Sequence, residues 1–369
     1  MNKKTIVMIG NMSWGMYKFR GDLMRDFVNL GHRVVVISPQ DEWSNNIQNL
    51  GCEFIDLKVD RKGVNPFKDL AYTLKLTKLL LALHADIALC YTIKPVLYGS
   101  IASWLSGVPQ RIAITTGLGY TFSTNNWINT VTKCLYKFAL IFASQVWFLN
   151  KDDLSIFLES DLVNTDKTFI LPGEGVNVEF YKPISNSDGA QTFTLISRML
   201  WDKGVSIFEE CAREIKKTHP HLKFQLVGPV DPGNPEGIPL AKLKEWNQSG
   251  SISYLGSLDD VRDVLKTTTC LVHPTYYKEG LPRVLMEANA MGIPCITTDI
   301  SGCRDVIKDG LNGFLVKPRD VNNLTETILK FNKLDQGTSL KLSQFSRERV
   351  CQFYSSERIS NIYFERLSL

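Results

Sequence analysis

Two carboxylates, Glu279 and Glu287, stand eight positions apart in the stretch HPTYYKEGLPRVLMEANAMGIPCITTDISGCRDV, residues 273 to 306. Between them Gly280, Leu281 and Pro282 mark a helix start, because proline lacks the N–H that the first turn would leave without an intrahelical partner. The N–H groups of Gly280, Leu281 and Arg283 are then available to an anion, helped by the positive end of the helix dipole. Gly280 also lets a ligand approach the backbone. Glu279 stands just outside the helix. Glu287 falls about one and a half turns inside it, and a carboxylate can accept from both hydroxyls of a ribose. The segment therefore suits a ligand carrying a sugar, a diphosphate and a ribose. The plainer reading is an ordinary helix N-terminus, with Glu279 favouring the dipole and Glu287 solvated.

A second group lies at Leu195–Val205, LISRMLWDKGV, which leaves a strand and enters a helix. Arg198 and Lys203 stand at the mouth of that turn, where two cations could neutralise a diphosphate, one as a planar fork and one as a point charge. Solvated loop cations would look the same.

The elements that must carry these groups are short apolar runs alternating with helical patterns. In the first half the strands are read at 5–9, 33–38, 53–57, 86–91, 111–115, 145–149 and 168–171, with helices at 19–30, 67–83, 96–105, 126–142 and 151–158. The second half restarts at 192–196, 223–227, 252–255, 270–273, 294–298 and 313–316, with helices at 204–217, 260–265, 282–291 and 321–331. Such alternation gives parallel sheets covered on both faces. A polar stretch without periodicity reads as a linker. The expected division is 1–173, an acceptor-side domain; 174–191, a linker; 192–350, a nucleotide-sugar domain; and 351–369, a terminal helix. Two such domains define a cleft, with ligands beyond the carboxyl ends of the strands.

The bulk numbers exclude several classes. At 369 residues, 44% apolar and 22% charged, the chain is an ordinary globular one with room for two domains. A net charge of +4 with no basic run gives no footprint for nucleic acid. The eight cysteines contain no C-x-x-C and sit in apolar runs, as buried thiols of a reducing compartment do. No apolar run approaches the roughly 18–20 residues that span a bilayer. The expected location is the cytoplasm, with a peripheral place on the inner face of the membrane left open.

The string YYKEGLPRVLMEANAMGIPCITTDISGCRDVI, followed by DGLNGFLV, resembles the donor-site signature of the retaining glycosyltransferases of family 4. That resemblance implies the GT-B architecture, two Rossmann-like domains facing a cleft, with the last helix crossing back to the first domain. It implies that Arg198 and Lys203 bind the donor diphosphate, that Glu279 serves the reacting sugar and that Glu287 holds the ribose. Gly280, Leu281 and Pro282 complete the donor site, and the region of Gly228 borders the base.

In the first half, Thr92-Ile93-Lys94-Pro95 and Gly117-Leu118-Gly119 each follow a strand. Together they resemble the subgroup that builds capsule, O-antigen or N-glycan precursors in bacteria. Lys94 is then the candidate for an acceptor phosphate, with Gly117 and Gly119 beside it; a surface lysine at a helix start is the alternative. The loop from Asn11 to Arg20 departs from the family pattern, carrying the single Gly15 where many members have a Gly-Gly pair beside the donor phosphates. Trp14, Tyr17 and Phe19 read either as a packing staple or as contacts to a lipid-linked acceptor. Trp127, Ile128, Val131, Leu135 and Phe138 form an apolar face beside Lys133 and Lys137, expected to be a buried core helix rather than a membrane-docking one.

The resemblance implies a UDP-sugar donor of the HexNAc class, GalNAc among them, and a saccharide acceptor on undecaprenyl diphosphate. No D-x-D motif is present, so no metal or cofactor is expected. The rival readings are a GT-B-fold UDP-sugar epimerase, whose acid and base have no candidates, and a non-catalytic nucleotide-sugar-binding partner. A dehydrogenase is disfavoured because no G-x-G-x-x-G follows the first strand.

Overall fold

The computed structural model describes residues 3–60, 63, 65–118, 127–183, 191–277 and 279–369. The chain divides into two units, residues 1–175 with 356–369, and residues 176–355.

The first unit is built from β1 (Thr5–Ile9), α1 (Ser13–Asn29), β2 (Arg33–Ser38), α2 (Ser44–Gln48), β3 (Glu53–Asp56), α3 (Pro66–Leu83), β4 (Ile87–Tyr91), α4 (Ser100–Leu105), β5 (Gln110–Thr115), α5 (Trp127–Ile141), β6 (Gln145–Phe148), α6 (Lys151–Glu159) and β7 (Thr168–Ile170). Its strands pair in the order β3-β2-β1-β4-β5-β6-β7, all parallel. Strand order reverses between β1 and β4, so the loops after these two strands flank the crevice where open α/β sheets bind ligands. A one-turn π-helix, Pro95–Gly99, precedes α4.

Helix α1 begins at Ser13, six residues before the expected start. The Ser13 hydroxyl is buried against Ser38 Oγ and Pro39 O, both at 2.7 Å. Asp41 accepts from the Trp14 N–H at 2.9 Å. A carboxylate from a different segment thus serves an N–H of the first turn, which has no acid of its own.

The second unit holds β8 (Thr192–Ile196), α7 (Val205–Lys216), β9 (Lys223–Val227), α8 (Leu240–Gln248), β10 (Ser253–Tyr254), α9 (Arg262–Leu265), β11 (Cys270–His273), α10 (Arg283–Ala290), β12 (Cys295–Thr298), α11 (Cys303–Val306), β13 (Gly313–Val316), α12 (Val321–Asn332) and α13 (Gln336–Phe353). The sheet order β10-β9-β8-β11-β12-β13 is again fully parallel, and it reverses between β8 and β11. Phe193, Phe208 and Phe224 are wholly buried in its core, each side chain contributing roughly 1.5–3 kcal/mol. Helices α2, α8, α11 and α13 were not among the expected elements. The long α13 buries only Leu342, Ser346 and Val350 and is started by Asp335, whose side chain accepts from Thr338 N, so its apolar signal is thin.

Residues 176–181 pack into the second unit rather than standing as a linker. Val176 is buried and donates its N–H to Tyr354 O at 2.9 Å, and Tyr181 is buried too. Residues 184–190 of the expected linker lie outside the described residues. Helix α14 (Ser356–Leu367) belongs to the first unit. Tyr363 meets Tyr91, hydroxyl to hydroxyl, at 3.1 Å, and its ring lies 4.9 Å from that of Trp147. Ser356 and Ser360 donate to Asp22 and Asp26 of α1.

Candidate active site

The loops after β8 and β11, at the reversal of the second sheet, carry Arg198, Lys203, Glu279, Gly280, Leu281 and Pro282 of the expected site. They are tied together at one carbonyl. Asp202 O accepts from Tyr276 N at 2.9 Å, Tyr277 N at 3.2 Å and Thr275 Oγ1 at 3.2 Å. Lys203 ends a single 3-10 turn, Trp201–Lys203, and is 8% exposed. Its Nζ lies 2.6 Å from Glu279 Oε1 and 4.8 Å from the centre of the Tyr277 ring. Glu279 Oε1 also meets His273 Nε2 at 3.0 Å. Burial pushes the Glu279 carboxyl up, but Lys203 and His273 more than offset it and hold the acid well below the usual carboxylate range. It is a half-buried carboxylate kept ionised by its neighbours.

His273 was not among the expected site residues. It closes strand β11, its carbonyl accepts from Thr297 Oγ1 at 2.7 Å, and it is 2% exposed. Its Nδ1 is buried with no hydrogen-bond partner among the described residues. Nε2 donates to Glu279 only in the tautomer that carries its proton there. The sequence signal was available: a polar residue ending an apolar strand, six positions before the acid.

The structure separates the two expected cations. Arg198 is half-exposed and points to the following loop, with Nη1 3.2 Å from Asp231 Oδ2. Lys203 alone reaches Glu279. Asp202 lies between them in sequence; burial raises its carboxyl above the ordinary value, and its Oδ1 has no partner among the described residues. Gly228 packs its backbone on the segment after β8 at a φ of 143°, and a Cβ there would stand 1.7 Å from Ser197 O. Its carbonyl accepts from the Tyr254 hydroxyl at 2.9 Å.

Pro282 is the residue before α10 rather than its first turn, with extended ψ of 109°. The helix proper starts at Arg283 because Pro282 keeps φ near −66° without adopting helical ψ. Gly280 is buried and Leu281 packs on the core beside α10. Opposite Gly280, Gly302 holds a φ of 76°, and a Cβ there would lie 2.2 Å from Gly280 O. Glu287 is not a solvated helix position. Arg283 Nε donates to its Oε1 at 2.9 Å, and Tyr181 lies against it, its phenol held above its ordinary value first by burial and then by that carboxylate.

In the first unit Lys94 follows β4 and is half-buried beside the buried Asp69 of α3, Nζ to Oδ1 2.5 Å; the Tyr98 hydroxyl donates to the other oxygen at 2.8 Å. Lys94 is therefore not a surface lysine. Just before it, Thr92 holds a φ of 71°, and Gly117 after β5 holds 129°. A threonine in the left-handed region stores strain, a feature that clusters at functional sites. Gly119 lies outside the described residues. Gly15 sits inside the first turn of α1 instead of on a loop, because the helix begins at Ser13; its carbonyl accepts from Arg20 Nη1 at 2.9 Å. Arg20 itself is paired with Glu174 and lies 4.2 Å over the Tyr91 ring. Tyr17 stacks on Trp43 with centres 5.5 Å apart, and Trp14 meets Phe19 edge to face at 5.4 Å.

Two parallel α/β sheets, each reversing at its centre, with an acid and a lysine at the second reversal, define a GT-B glycosyltransferase. Crystal structures of such enzymes superpose on the whole chain. A glycosyltransferase from Rickettsia africae matches with a TM-score of 0.81 at 19% identity, covering 100% of this chain and 98% of that one. Anabaena HepE in complex with UDP and glucose matches with 0.81 at 18%, covering 99% of both.

Residues 177–349 match the family model described as glycosyl transferases group 1, and residues 6–150 match glycosyl transferase 4-like. The chain belongs to this glycosyltransferase family. Among curated relatives, the N,N'-diacetylbacillosaminyl-diphospho-undecaprenol alpha-1,3-N-acetylgalactosaminyltransferase of Campylobacter jejuni is 29% identical, covering 92% of each chain. The UDP-Gal:alpha-D-GlcNAc-diphosphoundecaprenol alpha-1,3-galactosyltransferase of Escherichia coli is 25% identical over 73% of this chain and 72% of its own.

Proposed function

We propose that the protein transfers a HexNAc residue, GalNAc among the candidates, from its UDP conjugate to a saccharide on undecaprenyl diphosphate, with retention of anomeric configuration, in the assembly of a bacterial surface glycan. The observation that carries this reading is the buried Lys203–Glu279–His273 cluster at the reversal of the second sheet. Two relatives whose names specify undecaprenyl-diphosphate-linked acceptors support the acceptor class.

In this reading the bond from the sugar's anomeric carbon to the UDP oxygen breaks, and the bond to the acceptor oxygen forms on the same face. The acceptor's proton passes to the departing phosphate oxygen. Negative charge grows on the diphosphate and positive charge on the sugar ring. Lys203, Arg198 and the N–H groups around Gly280 stabilise the first. Glu279, ionised by its setting, holds the sugar's hydroxyls near the second. Glu287 takes the ribose, fixed by Arg283 and Tyr181. Lys94, with Tyr17 and Gly117, serves the acceptor in the first unit. No metal is needed for the diphosphate, and the enzyme works at the inner face of the cytoplasmic membrane as a peripheral protein. Among the described residues no helix is long and apolar enough to cross a membrane.

The test is a panel of UDP-sugars scored by thermal shift, then mass analysis of products on saccharides carried by short prenyl diphosphates. Stabilisation by one UDP-HexNAc and a product heavier by one HexNAc are expected. Release of a free epimer from the UDP-sugar, with no acceptor product, would favour the epimerase reading instead.

A further inference from the structure

Helices α3, α4 and α5 cover one face of the first sheet. They bury Tyr72, Leu76 and Leu80 of α3, Ala102 of α4, and Tyr136 and Leu140 of α5 in a common core. Helix α4 packs between the other two. A surface helix normally turns a polar face outward, and one that is apolar all round is usually buried. These helices break that rule. The outward side of α3 carries Phe67, 81% exposed, with Leu70 and Leu74, at spacings that place them on one face. The outward side of α5 carries Leu135, Phe138 and Ile141, the last 62% exposed. Trp104 of α4, half-exposed, joins it: its ring lies 4.7 Å from Phe142, which in turn meets Phe138 at 5.2 Å. The apolar face expected in the core is therefore turned outward at Val131, Leu135 and Phe138, and the helix buries Tyr136, Ala139 and Leu140 instead; the side chains of Trp127 and Ile128 lie outside the described ones.

The charge on the same three helices has one sign. They hold Lys68, Lys75, Lys78, Lys133 and Lys137 and a single acid, Asp69, which is buried against Lys94. Lys68 and Lys137 are met from neighbouring segments by Asp60 and Asp161 at the surface, where such pairs are weak. Lys75, Lys78 and Lys133 have no acidic partner among the described residues. A broad apolar face rimmed by lysines, on helices whose one acid is buried, fits a surface that is apolar inside and anionic at its head groups.

We infer that the outer face of α3, α4 and α5 is a docking surface for an anionic phospholipid bilayer, holding the first unit against the membrane that carries the acceptor. This rests on the lipid-linked acceptor proposed above and adds which face meets the lipid.

The full chain is sedimented with vesicles of phosphatidylcholine containing phosphatidylglycerol, and with phosphatidylcholine alone. Wild type is expected to sediment with the anionic vesicles and to be released by salt. The double variant Phe138→Glu/Ile141→Glu, at exposed positions, is expected to remain in the supernatant. The variant Lys75→Glu/Lys78→Glu is expected to weaken partition by about fivefold per lysine. Leu311→Glu, equally exposed in the second unit, is expected to bind like wild type. All variants are expected to keep wild-type transfer to a water-soluble short-chain acceptor. That arm separates the two proposals: lost transfer by wild type would count against the acceptor, whereas sedimentation reads the surface alone. Wild type free of anionic vesicles, or a double variant that still sediments, would overturn the inference. So would a wild-type dimer in analytical ultracentrifugation that the double variant dissolves while vesicle binding is unchanged, since the face would then belong to a second copy.

Discussion

Each unit pairs a lysine with a carboxylate near the reversal of its sheet, both pairs largely shielded from solvent. In the second unit Lys203 and Glu279 come from loops after two adjacent strands, and the third member is an imidazole. In the first unit Lys94 follows a strand, its acid Asp69 lies in the first turn of a helix, and the third member is a phenol. The difference is in what a ligand would meet. Glu279 is set on a loop where Gly302 packs closely on the main chain of Glu279 and Gly280, a Cβ on Gly302 standing 2.2 Å from Gly280 O, so its pair borders packed backbone with no side chain between. Asp69 is covered by Tyr98 and packed under a π-turn, so its pair fixes the shape of the strand end and presents Lys94 already neutralised. In the function proposed above, the second-unit pair serves the donor, and the first-unit pair holds Lys94 in place for the acceptor.

The largest effect that would sharpen this contrast is at Glu279. Glu279→Ala should cut turnover by about a hundredfold to a thousandfold, the range for a group that stabilises developing charge, while circular dichroism stays native. Turnover near wild type would end its assigned role. Lys203→Met comes next. Breaking a buried pair by removing one partner costs about 3–5 kcal/mol, and UDP binding by calorimetry should weaken with it.

The same variant carries a pH signature. In wild type the folded Glu279 is depressed, so its stabilisation is present above the unfolded value of about 4.3 and fades only in strong acid. Without Lys203, burial dominates and the sign inverts, stability falling as pH rises through that value. The Tm gap between wild type and variant should therefore widen from pH 4 to pH 7; a constant gap would show that Lys203 does not set the charge of Glu279.

His273→Ala should lower kcat with little change in the donor KM, by less than Glu279→Ala does, and His273→Gln, which keeps a donor, should recover part of it. Equal losses in a binding assay would make His273 merely structural. The smallest effect is expected at Asp69→Asn, which frees the Lys94 charge from its partner. The KM for the acceptor should move a few-fold while the donor KM stays, and a change confined to the donor would remove the first-unit pair from acceptor binding.

The strands were legible because parallel strands buried on both faces are continuous apolar runs, such as Ile6–Ile9 and Ile87–Tyr91. The start of α1 was not, since what holds it is Ser38 and Asp41, far along the chain. Helix α13 escaped because a serine occupies the middle of its buried stripe. At the site, the acids and Lys203 were visible as residue types. Their pairing across 76 positions was not, because nothing in a linear sequence says which loops a sheet reversal will bring together. His273 was hidden by its position, where a polar residue ending a strand passes for the edge of the element.

The closing helix of the first unit has a consequence for synthesis. Lys4 reaches the carbonyls of Leu367 and Ser368, and Phe27 packs against Tyr363 and Phe364. On the ribosome, residues 1–175 emerge without these partners, whereas residues 176–355 form a contiguous stretch that is complete when it leaves the tunnel. The half made first is therefore finished last, and its apolar seam beside α1 stays open to chaperones, or to misassembly, until the final helix arrives.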